Sequence, residues 1–175
     1  MTRTPLPGTA RTAPAAARAR ALQAAAASTT PADDPLAFQV LNEVNIISQL
    51  SQNRGARLLA PELNISQFSV LNHFVRLGGE RSLVQLAGAM QVTKGAMSNT
   101  IARLQAKGLV RVLPDPADGR GKQVSLTEAG RVARQRAVQL LGQGLAELAT
   151  VVPEAELAAA LQALRTLRIW FDAHR

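Results

Sequence analysis

No cysteine occurs among the 175 residues, which excludes disulfide staples, thiol-ligated zinc and thiol-based redox sensing within this chain. Histidine is almost as scarce: His73 and His174 are the only two, too few to indicate a metal site. No apolar run approaches the ~20 residues needed to cross a bilayer, so no membrane partner is expected. The sequence also lacks a nucleophile–base pair, a metal-ligand cluster and a phosphate-cradling loop, so neither an enzyme nor a cofactor is expected. These absences point to a soluble, cytoplasmic protein. Residues 1–34 lack acids before Asp33, and Leu6 and Leu22 are their only large aliphatics.

What remains is positive charge and helical periodicity. Lys and Arg number 20 against 12 Asp and Glu, a net charge of +8 with a pI near 11.5. Such a balance favours a polyanionic partner, nucleic acid before membrane. Arg supplies 17 of the 20 cations, a bias that GC-rich coding also produces, so charge is supporting evidence only. The length fits one domain, or one domain with a tail. Residues 1–34, rich in Ala, Pro and Thr with Arg3, Arg11, Arg18 and Arg20, have too little to bury and are expected to be a disordered basic tail. A variable solvated extension fits that composition better than a basic arm for nonspecific DNA affinity, and far better than a transit peptide.

The folded part is expected over 35–175. From Pro35 to about Ala60 the pattern is helical, with Val40, Val44, Ile47 and Leu50 on one stripe. Arg54-Gly55 and Ala60-Pro61 suggest its ending or a break. Ser66 is placed to cap a second helix with Phe68, Leu71, Phe74 and Val75 inward, closed by Gly78-Gly79. Ser82 and Gln85 have the spacing of a capping box, opening a short helix that carries Leu83, Leu86, Ala87 and Met90. Thr93 caps the next helix, in which Met97, Ile101 and Leu104 recur at helical spacing and Gly108 ends the run. Leu109–Leu113 reads as a strand, Pro114 to Lys122 as a turn-rich tip, and Gln123–Leu126 as the return strand. Thr127 and Glu128 open a long helix through Leu140, Leu141, Leu145 and Leu148. Pro153 begins a last one with Leu157, Leu161, Leu164 and Phe171 in a stripe.

Two short helices joined by a tight turn, the second polar on its outer face, predict a helix-turn-helix. Ala87 is small where those helices should cross. The outer face of the second carries Lys94, Ser98, Asn99, Ala102 and Arg103. Ser98 and Asn99 suit base edges, and Arg103 suits guanine or phosphate. Gly95 is unusual there, since glycine in a helix costs ~1 kcal/mol relative to Ala; close approach to DNA would rationalise it. The hairpin tip D-P-A-D-G-R-G-K-Q adds Arg120 and Lys122, chemistry that fits a narrow minor groove, with Asp118 placed to orient Arg120. The fold class that follows is mainly α with a small β-hairpin wing.

With these pieces in place, the region resembles the MarR (multiple antibiotic resistance regulator) family of winged helix-turn-helix proteins. The resemblance rests on Q-L-A at Gln85–Ala87, V-T-K-G-A-M-S-N-T-I-A-R-L at Val92–Leu104, K-G-L-V at Lys107–Val110, D-P-A-D-G-R at Asp115–Arg120 and L-T-E-A-G at Leu126–Gly130. It covers about Leu36 to Phe171. It implies a winged helix-turn-helix over about 62–126 and an N- and C-terminal helical dimerisation region, helices about 36–58 and 127–173, joining two chains as a homodimer. Recognition-helix contacts to double-stranded operator DNA would fall on Thr93, Lys94, Ser98, Asn99 and Arg103. The wing contact would fall on Arg120, with Lys122 as a substitute for a second wing cation that the family often has where this chain has Gly119. The family also usually has glycine in the turn, where this chain has Gln91.

The resemblance further implies a transcriptional repressor released by a small aromatic or phenolic acid. His73 and Arg76, on the second helix, are the candidates to hold its carboxylate. A protein-interaction module on the same fold, or a constitutive regulator without a ligand, stand as alternatives. Trp170 fits dimer core better than a ligand plate.

Overall fold

The computed structural model describes residues 33–115 and 121–174, with positions 17, 20, 21 and 24 before them. The disorder expected of residues 1–34 therefore falls almost entirely outside the described residues, as does the wing tip from 116 to 120. The elements in chain order are α1 (Leu36–Leu59), α2 (Ile65–Leu77), β1 (Arg81–Ser82), α3 (Leu83–Ala89), α4 (Lys94–Ala106), β2 (Val110–Pro114), β3 (Lys122–Leu126), α5 (Glu128–Gly144), a 3₁₀ turn (Ala146–Thr150) and α6 (Glu154–Ala173). The chain divides into two compact units, one of residues 41–144 and one of residues 1–40 with 145–175.

Helix α1 passes through Arg54-Gly55, where a break was expected. Gly55 is buried, and a Cβ there would sit 3.0 Å from Ile65 Cδ1, so this glycine permits close packing rather than ending a helix. The cap of α2 is Asn64 and not Ser66. Its side chain accepts from the Gln67 amide at 2.8 Å while Gln67 Oε1 accepts from the Asn64 amide at 3.1 Å, a complete capping box that starts the helix two residues earlier. In the core the helix contributes Val70 beside Leu71 and Phe74, while Phe68 and Val75, expected inward, are half-buried.

The Ser82–Gln85 capping box is present as expected, with bonds of 2.9 and 3.2 Å. Helix α4 closes in a Schellman motif. Gly108, at φ +70°, donates to Gln105 O at 2.9 Å, and Leu109 donates to Leu104 O at 3.0 Å. Leu109 is spent on that cap, so β2 begins at Val110, one residue later than its sequence suggested. The sheet is antiparallel in the order β1-β3-β2, with Val112 opposite Val124 and Arg81 opposite Val124 on the other side. Strand β1 has two residues, too few for any alternation to reveal it in the sequence.

The core of this unit is Val70, Leu71, Leu86, Leu104 and Val124, drawn from α2, α3, α4 and β3. Burial on this scale, roughly 1.5–3 kcal/mol per large aliphatic, fixes α4 against its own domain through Met97, Ile101 and Leu104. Helix α5 stops at Gly144, short of the expected Leu145 and Leu148. Gly144 O accepts from Arg54 Nη2, and a Cβ on Gly144 would meet Leu58 Cδ1 at 2.5 Å, so α1 and α5 close tightly there. In the second unit α6 has no buried residue: Leu157, Leu161, Leu164, Trp170 and Phe171 are all exposed within one chain.

Candidate nucleic-acid interface

The turn between α3 and α4 is built by backbone bonds from Gln91 to Gly88 O (3.2 Å) and from Val92 to Ala87 O (3.0 Å). They require Gln91 at φ +53°, the left-handed conformation that glycine, usual in the family's turn, adopts freely. Gln91 compensates in part, donating from Nε2 to Gly88 O at 3.0 Å. Ala87 is buried where α3 meets α4. Thr93 then caps α4, its hydroxyl accepting from the Ala96 amide at 3.2 Å.

The structure places Thr93, Lys94, Ser98, Asn99 and Arg103 all exposed on α4. Successive helical residues turn by ~100°, so Asn99 lies opposite the buried Met97, Ile101 and Leu104, with Ser98 on the flank of that outer side. Gly95, Ala102 and Ala106 share that side and leave it shallow. No atom comes within 4 Å of a Cβ built on Gly95, so nothing in the chain itself requires glycine there. Arg103 sits on the flank, where with Lys107, Asn64 and Gln67 it lines an open groove beside the start of α2.

Of the wing candidates, Lys122 is exposed at the first position of β3, opposite Pro114. The Asp115 amide donates to Gly121 O at 3.0 Å, holding the strands together below the tip. Arg120 and Asp118 lie outside the described residues. The wing's root is fixed by Thr127, whose amide donates to Leu109 O (3.2 Å) and whose hydroxyl donates to Gly108 O (2.8 Å) while accepting from the Gly130 amide (3.0 Å). One residue thus ties together the end of α4, the start of β2 and the start of α5.

His73 is 8 % exposed and packs edge-on to Phe74, with ring centroids 6.2 Å apart. Burial, then the nearby Arg76 and Arg81 charges, hold its pKa below the usual 6.5. At neutral pH it is therefore an uncharged hydrogen-bonding group, and positive charge there comes from the exposed Arg76 and from Arg81. Elsewhere in the same unit a cleft of about 160 Å³ is lined by Leu59, Leu63, Leu109, Ala133, Ala137 and Leu140, with Glu62, Lys107 and Arg136 also on its lining. Nothing local marks it beyond Lys107 and Leu109 in the K-G-L-V run, because its residues come from three separate stretches, 59–63, 107–109 and 133–140. Among the described residues no cluster of His, Asp or Glu is arranged to hold a metal ion, and no helix is long and apolar enough to cross a membrane.

The sequence profile of the MarR family matches residues 62–121. The chain is 32 % identical over 103 residues to the multiple antibiotic resistance protein MarR of Escherichia coli strain K12, covering 58 % of this chain and 71 % of that one. Its fold is similar to a cysteine-to-serine mutant of Escherichia coli MarR complexed with operator DNA, at a TM-score of 0.59 and 28 % identity over 77 % of this chain and 99 % of that one. It is also similar to BpsR of Bordetella bronchiseptica, whose DNA binding is regulated by 6-hydroxynicotinic acid. There the TM-score is 0.55 and the identity 27 %, over 72 % of this chain and 98 % of that one.

Proposed function

This chain belongs to the MarR family of transcriptional regulators, and from that membership we propose that it is a cytoplasmic, homodimeric repressor that leaves its operator when a small aromatic acid binds. The observation that carries the DNA reading is the outer face of α4: polar at Lys94, Ser98 and Asn99, shallow at Gly95 and Ala102, and held rigid from behind by three buried side chains. A helix of that kind fits the major groove, with Ser98 and Asn99 on base edges. Lys94 and the capped N-terminus at Thr93 meet phosphate. Arg103, on the flank, suits a backbone phosphate, and Lys122 with Arg120 extends the contact along the wing.

Dimerisation is supported by apolar surface that one chain leaves bare. Ile47 and Leu50 on α1 are 60 % and 66 % exposed, and among the described residues none of the α6 stripe is buried. Two identical chains present two recognition helices, which places half-sites ~34 Å apart, one turn of duplex. Effector release is supported by the similarity to BpsR, with His73 and Arg76 as candidate carboxylate partners. No catalytic role is proposed.

Protection mapping on duplex DNA from the region upstream of the protein's own coding sequence tests this reading. We expect a footprint with two-fold symmetry that fades as salt rises. Binding equal on all duplexes at every salt concentration would overturn sequence specificity. Absence of any DNA binding would favour a protein-interaction module on the same fold.

A further inference from the structure

We propose that the outermost strip of α4 reads one base in each half-site, and that this base is an adenine held by the carboxamide of Asn99. The inference rests on the sequence-specific DNA reading above and deepens it, naming the base and the atoms that recognise it. Every residue it uses lies on α4, within the unit of residues 41–144.

The strip opposite the buried Met97, Ile101 and Leu104 consists of Gly95, Asn99, Ala102 and Ala106, which follow one another at helical spacing and are all exposed. Gly95, Ala102 and Ala106 carry a hydrogen or a methyl group, so Asn99 alone brings a polar side chain to the strip. Among the described residues its carboxamide has no hydrogen-bond partner. Nearby hydroxyls are engaged within the helix: Thr93 caps it and Thr100 donates to Ala96 O at 3.1 Å. Ser98 and Arg103 stand on opposite flanks, toward the walls of a groove that holds the helix.

Depth decides whether so short a side chain can read a base. Asn99 reaches a base edge only when the helix backbone itself comes close to the groove floor. Gly95 allows that approach one turn away. A Cβ built there meets no atom within 4 Å, so nothing inside the chain calls for glycine, and glycine is a poor helix former. A missing side chain on the outer face serves contact with something outside the chain, as glycine does wherever backbone lies against a ligand.

Hydrogen-bond chemistry then selects the base. In the major groove adenine offers the N7 acceptor beside the N6 donor, the one pair that a carboxamide matches with both atoms. Asn99 Nδ2 donates to N7 while Oδ1 accepts from N6. Guanine presents two acceptors, N7 and O6, and leaves Oδ1 facing an oxygen. In the proposed dimer the two-fold axis repeats the contact, so each half-site carries one such adenine.

The test starts from a pool of random duplexes, from which the full chain selects its preferred sites. We expect adenine fixed at one pair of symmetry-related positions. Replacing that adenine by 7-deazaadenine, which removes N7 alone, should weaken binding about tenfold. An adenine favoured only through minor-groove shape keeps its affinity under that change. Asn99→Arg should move the preference to guanine at the same two positions, since arginine pairs with O6 and N7. Gly95→Ala should melt no lower than the parent yet lower the ratio of selected-site to random-duplex affinity. Selected sites without the paired adenine overturn the proposal, as does full affinity for the 7-deazaadenine duplex or an unchanged base preference in Asn99→Arg. Failure of the parent to select any site overturns the sequence-specific reading itself, and this proposal with it.

Discussion

Replacing Gly130 by alanine is the most demanding test of how the wing is anchored. A Cβ at this position would lie 2.0 Å from Leu109 O and 2.7 Å from Leu126 Cδ1, where ordinary contact begins at 3.4 Å. The leucine side chain can move, but the carbonyl cannot move freely. Leu109 O already accepts the Thr127 amide at 3.2 Å, and the Thr127 hydroxyl links Gly108 O to the Gly130 amide. Relief therefore requires moving the start of α5 away from the root of β2, which strains up to three hydrogen bonds together.

Overpacking of this kind costs ~1–3 kcal/mol, and each weakened bond adds ~0.5–1.5 kcal/mol. The gain from alanine over glycine in a helix, ~1 kcal/mol, offsets only part of that. We expect a net loss of roughly 1–3 kcal/mol, seen as a fall in Tm of ~2–4 °C for each kcal/mol. Gly142→Ala is the matched control: it lies in the same helix with nothing within 4 Å of the added atom. It should raise stability by up to ~1 kcal/mol. Thermal melts by circular dichroism at one fixed protein concentration compare the two, since a dimer's Tm depends on concentration. If Gly130→Ala melted with or above Gly142→Ala, the close contact between α5 and the wing root would be refuted.

Gln91→Val should cost ~1–2 kcal/mol in urea unfolding, because a β-branched residue at φ +53° is more strained than Gln and loses the bond to Gly88 O; an unchanged midpoint would remove the strain argument. Asn99→Ala should erode discrimination between operator and scrambled duplex by ~1–3 kcal/mol, whereas Lys122→Ala should weaken both equally and lower the salt slope by ~1; reversed roles in binding titrations would refute the assignment. His73 has its pKa lowered by burial and by Arg76 and Arg81, so the unfolded chain takes up the proton first. Its contribution is therefore intact above pH 6.5 and declines as pH falls through the interval between 6.5 and the depressed native value. His73→Asn should flatten the pH dependence of Tm in that interval, and a variant whose dependence matches the parent's would exclude His73 as the source.

The helix-turn-helix was legible because each of its boundaries is a local device. Ser82 with Gln85, Thr93, and Gly108 are read from spacing alone, and the structure forms all three caps. Two features escaped because their causes are not local. Val70 is among the most buried side chains, yet which arc of α2 is buried is set by α4, α5 and β3 packed against it and not by any pattern within α2. The end of α5 depends on Leu58 and Arg54 of α1, more than 80 residues away, and no periodicity within α5 encodes it. For the candidate site, the exposed face of α4 followed directly from its buried stripe. The cleft with Lys107 and Arg136 did not, because it exists only once three stretches meet.

The unburied helix α6 links the fold to the way the protein meets DNA. A helix such as α6 owes most of its stability in a protein to an apolar face packed on something rather than to propensity. Within one chain α6 has no buried residue, although Leu157, Leu161, Leu164 and Phe171 form a stripe along it. Trp170, 54 % exposed, stacks on His174 with centroids 4.3 Å apart, so even this aromatic cluster shields itself only in part. A winged helix-turn-helix needs none of this surface to hold α4 in place, because α4 is packed from behind by its own unit. In the proposed dimer this stripe is the surface that pairs two chains. Pairing fixes the spacing of two recognition helices, and fixed spacing turns two weak half-site contacts into one specific site.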